Sequence, residues 1–64
     1  MNAYLLAKAY QDGYDFAREM PGDVPPPDEE ILYWFEDDTQ EDDDEGAIVD
    51  SWREGYSQGL DSRD

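Results

Sequence analysis

The sequence predicts an all-α protein, a small bundle of about three helices with an acidic loop before the last helix. Three observations predict this class. Apolar residues recur at steps of three and four in two long segments. Stretches rich in proline or in acids separate these segments. A chain of 64 residues holds one domain at most. We therefore treat residues 1–64 as a single small acidic helical domain.

The first predicted helix extends from Asn2 to Met20. Asn2 is a residue type favoured at a helix N-cap, and Pro21 with Gly22 ends the segment. Gly13 lies inside this helix, where glycine lowers stability, so it indicates a close approach by another element. The predicted apolar stripe consists of Ala3, Ala7, Tyr10, Tyr14 and Ala17, widened by Leu6.

Residues 21–27 (PGDVPPP) predict a stiff connector, because consecutive prolines favour an extended conformation. The second helix is predicted from Asp28, as its N-cap, to Asp38. Glu29 and Glu30 fall in its first turn, where the helix dipole favours acids. A strand is the alternative, since the apolar block is short and aromatic. The apolar face of the helix would consist of Ile31, Trp34 and Phe35.

Residues 36–45 (EDDTQEDDDE) contain eight acids, and such a run is typically solvated and mobile. It ends at Gly46. The third helix is predicted from Ala47 to Leu60, with the acids before it suiting its N-terminus and Arg63 lying just past its C-terminal end. Its stripe would contain Ile48, Trp52, Tyr56 and either Leu60 or Gly59, with Val49 and Gly55 beside them.

A short pattern occurs twice: residues 9–14 (AYQDGY) and 51–56 (SWREGY) both follow small, aromatic, any, acid, glycine, tyrosine. Either the pattern recurs by chance or two helices cross closely at Gly13 and Gly55. In the second case Tyr14, Trp52 and Tyr56 pack around the contact. The helix pair resembles that of ribosome modulation factor and its small phage relatives. That family is basic and binds ribosomal RNA, so the inverted charge here argues against the same activity.

The charge balance limits the partners. The chain has 19 Asp and Glu against 4 Lys and Arg, a formal net charge of −15. Coulomb repulsion disfavours direct contact with nucleic acid or anionic membranes. No apolar run approaches the ~20 residues of a membrane span, and the N-terminal segment does not have the features of a signal peptide. We expect a cytoplasmic protein, in the host cytoplasm if it is phage-encoded. Aromatic residues make up 14% of the chain, unlike disordered acidic tails.

Catalysis and tight metal binding are not expected. The sequence contains no His and no Cys, which removes the commonest general base and the commonest zinc ligands. Exposed carboxylates do not provide the contrast in pKa that acid–base chemistry needs. An EF-hand loop centred on Gly46 would require Glu at the position of Trp52, so the calcium signature fails. We predict no enzyme, no cofactor and no metal. A calcium-dependent structural protein ranks third, behind the two functions described next.

The acids themselves are the best functional candidates. A globule of 64 residues should be ~28 Å across, and a DNA duplex of that length carries ~16 charges, close to −15. In size, charge and lack of cysteine the chain resembles the small acidic anti-CRISPR and anti-restriction DNA mimics of phages and mobile elements. That resemblance implies a CRISPR surveillance complex or a restriction enzyme as the target, with its DNA-binding surface blocked. The alternative is an acidic adaptor or chaperone that shields a basic protein without competing with nucleic acid.

The predicted phosphate-mimicking residues form two groups. The central run contributes Glu36, Asp37, Asp38, Glu41, Asp42, Asp43, Asp44 and Glu45. The flanking segments extend the surface with Asp12, Asp15, Glu19, Asp28, Glu29, Glu30, Asp50 and Glu54. The aromatic residues are expected mainly in the core. The alternative is a partner-binding patch, because Trp and Tyr are enriched at binding hot spots, and Tyr4 and Tyr33 are expected to be the most exposed among them.

Overall fold

The computed structural model describes residues 3–19, 24–41 and 43–62. Within these ranges the chain forms three helices: α1 (Ala3–Glu19), α2 (Asp28–Trp34) and α3 (Glu45–Asp61). The predicted all-α bundle is therefore confirmed. Three sequence expectations, the Asn2 N-cap, the stop at Pro21 and Gly22 and the placement of Arg63, concern positions outside the described residues.

The second helix ends earlier than predicted, at Trp34 and not at Asp38. The N–H groups of Phe35 and Glu36 donate to carbonyls three residues back, so the helix tightens into turns. The Thr39 hydroxyl then donates to the Phe35 carbonyl at 2.6 Å. A physical reason is that acids at a helix C-terminus oppose the helix dipole, and the acidic run starts at this point.

The predicted N-cap at Asp28 is also wrong by one residue. Pro27 has an extended conformation and occupies the cap position, and its carbonyl accepts from the N–H groups of Glu30 and Ile31. Asp28 is the first helical residue, and its carboxylate instead pairs with Arg53 of α3. A proline cap has no side-chain acceptor for the free N–H groups, so the three acids of the first turn supply the favourable charge.

The third helix begins two residues before the predicted start, because the acidic run supplies its cap. Asp44 is the N-cap, and its Oδ1 accepts from the N–H groups of Gly46 at 2.9 Å and Ala47 at 3.4 Å. Gly46 therefore lies in the first helical turn and does not end the loop. Aspartate is among the strongest N-cap residues for this reason.

This cap gives a direct test. Asp44→Ala is expected to lower the free energy of unfolding by about 1 kcal/mol, because two N–H groups lose their acceptor. Asp44→Asn removes the same charge but keeps a capping oxygen, so its stability should stay near that of the unmodified chain. Urea unfolding followed by circular dichroism measures both variants. Equal losses in the two variants would show that the charge, and not the cap, matters.

The first and third helices pack side by side and run in the same direction. Gly55 lies against the backbone of Tyr10, and Gly59 lies against that of Tyr14, so both helices advance together along the contact. The segment that returns the chain to the start of α3 contains α2. Ile31 of α2 and Phe35 just after it are buried in the core.

The predicted crossing at two glycines is confirmed. A Cβ placed on Gly13 would lie 2.0 Å from the Trp52 carbonyl oxygen, and one on Gly55 would lie 1.9 Å from the Tyr10 carbonyl oxygen. In the sequence repeat, Tyr10 corresponds to Trp52 and Gly13 to Gly55. The two contacts are therefore equivalent, and the helix pair has approximate twofold symmetry. Small residues at a helix contact permit this close backbone approach.

The predicted stripe of α1 is largely wrong. Ala3, Ala7 and Tyr10 are exposed, and Tyr14 is half-buried. The close crossing explains the difference, since it accepts the smallest side chains and displaces the tyrosines to its margins. The residues that α1 buries are Leu5, Ala9, Gly13 and Ala17.

The stripe of α3 is largely confirmed. Ile48, Trp52 and Tyr56 are buried, and of the two alternatives at its end Gly59 is buried while Leu60 is 38% exposed. Trp34 was predicted on the apolar face of α2 but is 40% exposed. A short α2 places Trp34 at the edge of the core.

An aromatic cluster closes one side of the core. Phe16, which the predicted stripe did not include, lies with its ring centroid 5.4 Å from that of Trp52 and 6.0 Å from that of Tyr56. Trp34 reaches the same cluster, 6.1 Å from Trp52. Trp52 and Tyr56 stack at 5.4 Å. These contacts join all three helices.

Candidate acidic interaction surface

The described acidic side chains lie almost entirely on the surface. Asp43 is half-buried and the other fifteen are exposed. In residues 3–19, 24–41 and 43–62 no charged side chain is buried. Asp42, one of the predicted phosphate mimics, lies outside the described residues. The exposed members of the predicted surface are Asp12, Asp15, Glu19, Asp28, Glu29, Glu30, Glu36, Asp37, Asp38, Glu41, Asp44, Glu45, Asp50 and Glu54.

Several of these acids also hold the fold together. Asp12 accepts a hydrogen bond from the Trp52 indole N–H at 3.0 Å, which links α1 to α3. Asp43 accepts from the backbone N–H of Gln40 at 2.9 Å. Asp44 caps α3. The acidic run is therefore partly folded into turns, and charge reversal at Asp43 or Asp44 would also change the structure.

Each basic side chain in the described ranges has a partner within the chain. Lys8 pairs with Asp38 at 2.8 Å, Arg53 pairs with Asp28, and the Arg18 guanidinium lies 5.8 Å from the centre of the Tyr14 ring. The Asp38 hydrogen bond raises the pKa of Lys8 above its usual 10.5. Lys8 is consequently charged at neutral pH, and its contribution to the pair is lost as the pH rises through that raised pKa.

A groove lies between α2, the turns after it and the start of α3. Its volume is about 510 Å³, and Leu32 and Tyr33 contribute its apolar surface. The Tyr33 side chain is 72% exposed, as predicted for this residue. The acids of the groove are Glu29, Glu36, Glu41 and Glu45. We call this the acidic groove. The four glutamates are among the phosphate-mimicking residues predicted from the sequence, and Tyr33 was expected to be exposed. Leu32 was not predicted as a functional residue, and its only signal was its place in an apolar segment between two groups of acids.

A second concavity of about 440 Å³ lies along α1 and combines both charges. Lys8 lines it together with Asp12 and Asp15, and Tyr4 lies at its edge with 73% of its side chain exposed. The exposure of Tyr4 is also as predicted. Because Lys8 is present, this surface is less suited to a cationic partner than the acidic groove.

The charge density of the molecule is lower than a compact globule would give. The radius of gyration, 11.4 Å, agrees with the expected ~11 Å, but the molecule is elongated, 38 × 20 × 15 Å. The described residues have a formal charge of −13. A duplex 38 Å long carries ~22 charges. Along the long axis, the described part of the chain therefore has about three-fifths of the charge density of DNA.

Comparisons with family models, with curated proteins and with solved structures find no match for this chain. Across the described ranges, no helix has both the length and the hydropathy needed to cross a membrane. In the same part of the chain, no group of three acidic side chains is arranged to hold a metal ion.

Proposed function

We propose that this protein binds a basic nucleic-acid-binding protein and blocks its DNA-binding surface, as an acidic DNA mimic does. A CRISPR surveillance complex or a restriction enzyme is the class of target. The observation that supports this proposal best is the exposure of fifteen described acids on a rod 38 Å long. The described residues include only three cations, two of which pair with Asp28 and Asp38, so most of this negative charge is not offset.

The physical basis is the same as for a protein that binds DNA. Lysines and arginines that line a DNA channel are attracted to any dense row of negative charges, and the attraction also speeds association. A small domain needs a net charge of magnitude only ~2–8 for solubility, so −15 exceeds that need. Even at three-fifths of the charge density of DNA, the protein presents many negative charges along such a channel.

The second candidate is an acidic adaptor or chaperone that shields a basic protein without competing with DNA. The acidic groove favours it, because a groove with an exposed tyrosine recognises a particular side chain and a row of phosphates does not. Competition with DNA distinguishes the two functions.

The test is a competition assay with a Cas9–guide RNA complex and with a type I restriction enzyme, each given a fluorescent duplex. We expect the protein to prevent DNA loading on at least one of them, and pre-bound duplex to prevent binding of the protein. The affinity should fall steeply with salt, since partner cations are neutralised. If protein and duplex bind the same target together with unchanged affinities, mimicry is wrong and the adaptor function replaces it.

Matched variants test whether the binding affinity depends on the total charge and not on any single acid. Neutralising Asp15, Glu19, Asp50 and Glu54 together, by Asn or Gln, should weaken binding at least tenfold and flatten its salt dependence, because four exposed charges are lost. Asp15→Asn alone should change the affinity less than about twofold, since the attraction is distributed over many charges. A large effect of the single variant would contradict distributed mimicry.

A further inference from the structure

We infer that the acidic groove is the docking site for an arginine of the basic partner, with its guanidinium lying over the Tyr33 ring. This inference rests on the proposed class of partner, a basic protein. It goes further by naming one anchor point on a surface that would otherwise attract cations everywhere.

The shape of the acidic groove is suitable for a side chain. Its volume of about 510 Å³ falls within the ~300–1,000 Å³ typical of ligand sites. It has room for one long side chain and the residues beside it. Leu32 is partly buried against the core and Tyr33 is open to solvent, so together they offer an apolar surface for the aliphatic part of an arginine.

Tyr33 has no evident role in the core. Ile31 and Phe35 of this segment are buried in the core, and Leu32 and Trp34 also contact it, while Tyr33 is 72% exposed. An exposed aromatic ring is a typical anchor in protein–protein interfaces. Its position within a group of glutamates indicates a cationic partner for the ring.

The charges of the acidic groove select the occupant. Four glutamates surround it, and no basic residue of the described chain lines it. A second copy of this chain, at −15, or any anionic ligand would be repelled. A basic peptide segment is complementary in charge.

The chemistry favours arginine over lysine. A guanidinium is planar, stacks on aromatic faces and donates two parallel hydrogen bonds to a carboxylate, whereas an ammonium is a compact and strongly hydrated charge. A cation over an aromatic ring is attracted by the negative face of the ring, at exposed sites as well as buried ones. Tyr33 supplies the ring and the glutamates supply the acceptors.

Titration of the full chain with hexa-arginine and hexa-lysine peptides, followed by two-dimensional NMR at physiological salt, tests the inference. We expect hexa-arginine to bind at least fivefold more tightly, with the largest shift changes at Tyr33 and its neighbours in the groove. Glu36→Gln with Glu41→Gln should weaken that binding at least tenfold. The control, Asp50→Asn with Glu54→Gln, removes the same charge from α3 and should weaken it less than about threefold, because those acids lie outside the groove.

Tyr33→Leu tests the contribution of the aromatic ring to binding separately from that of the charges. It should reduce the affinity for hexa-arginine to that for hexa-lysine while the circular dichroism spectrum stays unchanged. Equal losses in the two double variants, or an unchanged arginine preference in Tyr33→Leu, would overturn the inference. If these outcomes overturn the inference but the protein still competes with DNA, the proposed mimicry is retained. If arginine binds in the groove but the protein does not compete with DNA, the inference is retained and mimicry is wrong.

Discussion

Gly13→Ala is expected to unfold the domain or to lower its stability by about 3 kcal/mol or more. The added methyl would lie 2.0 Å from the Trp52 carbonyl oxygen and 2.9 Å from its carbonyl carbon. Both are backbone atoms, so no side-chain rotation relieves the clash and the two helices must separate. Alanine would raise helix propensity by ~1 kcal/mol at this position, but the clash outweighs that gain. The total stability of so small a core is only ~3–5 kcal/mol.

Gly46→Ala is the matched control, because it is the same substitution at a helical glycine outside the crossing. Its methyl would meet a side-chain oxygen of Asp44 at 3.2 Å, and that carboxylate can shift. We expect a change within ~1 kcal/mol. Thermal and urea unfolding measure both variants, and the equivalent Gly55→Ala should behave like Gly13→Ala. If Gly13→Ala melted at the same temperature as the unmodified chain, the close crossing described here would be wrong.

Trp52→Ala should cause a loss of similar size. Trp52 is fully buried, contacts Phe16 and stacks on Tyr56. Truncating a large aromatic residue in a core costs ~3–5 kcal/mol, comparable to the whole stability expected for a domain of this size. The substitution also leaves Asp12 without the indole N–H that donates to it at 3.0 Å. Circular dichroism should show a largely unfolded chain at 37 °C.

Tyr33→Ala provides the control for Trp52→Ala, since it also removes an aromatic ring. Because Tyr33 is 72% exposed, we expect a change in stability within ~0.5 kcal/mol. Trp52→Phe keeps an aromatic ring and should retain most of the helical signal. An unchanged melting temperature in Trp52→Ala would contradict the burial of this residue.

These predictions separate the stability of the protein from its binding. The glycine crossing and the aromatic cluster hold the helices together, and the acids in the proposed binding tests lie on exposed parts of the chain. The exceptions accept hydrogen bonds or ion pairs that link elements or fix a turn, and they are Asp12, Asp28, Asp38, Asp43 and Asp44. Charge variants intended to test mimicry should therefore leave these five residues unchanged.

Some features of this protein follow from its sequence alone. Helical spacing and the breaks between segments were enough to predict three helices, because both signals are local. The repeated pattern around Gly13 and Gly55 gave the crossing as one of two explanations, because a glycine inside a helix lowers its stability and indicates a close contact. The exposure of Tyr4 and Tyr33 and the burial of Trp52 were also predictable from their positions relative to the stripes.

Other features were decided only by the tertiary structure. The buried face of α1 consists of Leu5, Ala9, Gly13 and Ala17, because the approach of α3 admits only small side chains at the crossing; the aromatic spacing had indicated a neighbouring face. The use of Asp44 as a cap depends on where α3 begins, which the composition of the acidic run did not reveal. The acidic groove likewise arises because the turns after α2 bring Glu36 and Glu41 to the same place as Glu29 and Glu45. Packing brings residues that are distant in sequence into one site. The hydrophobic periodicity of a single segment contains no information about how close its residues lie to those of another segment.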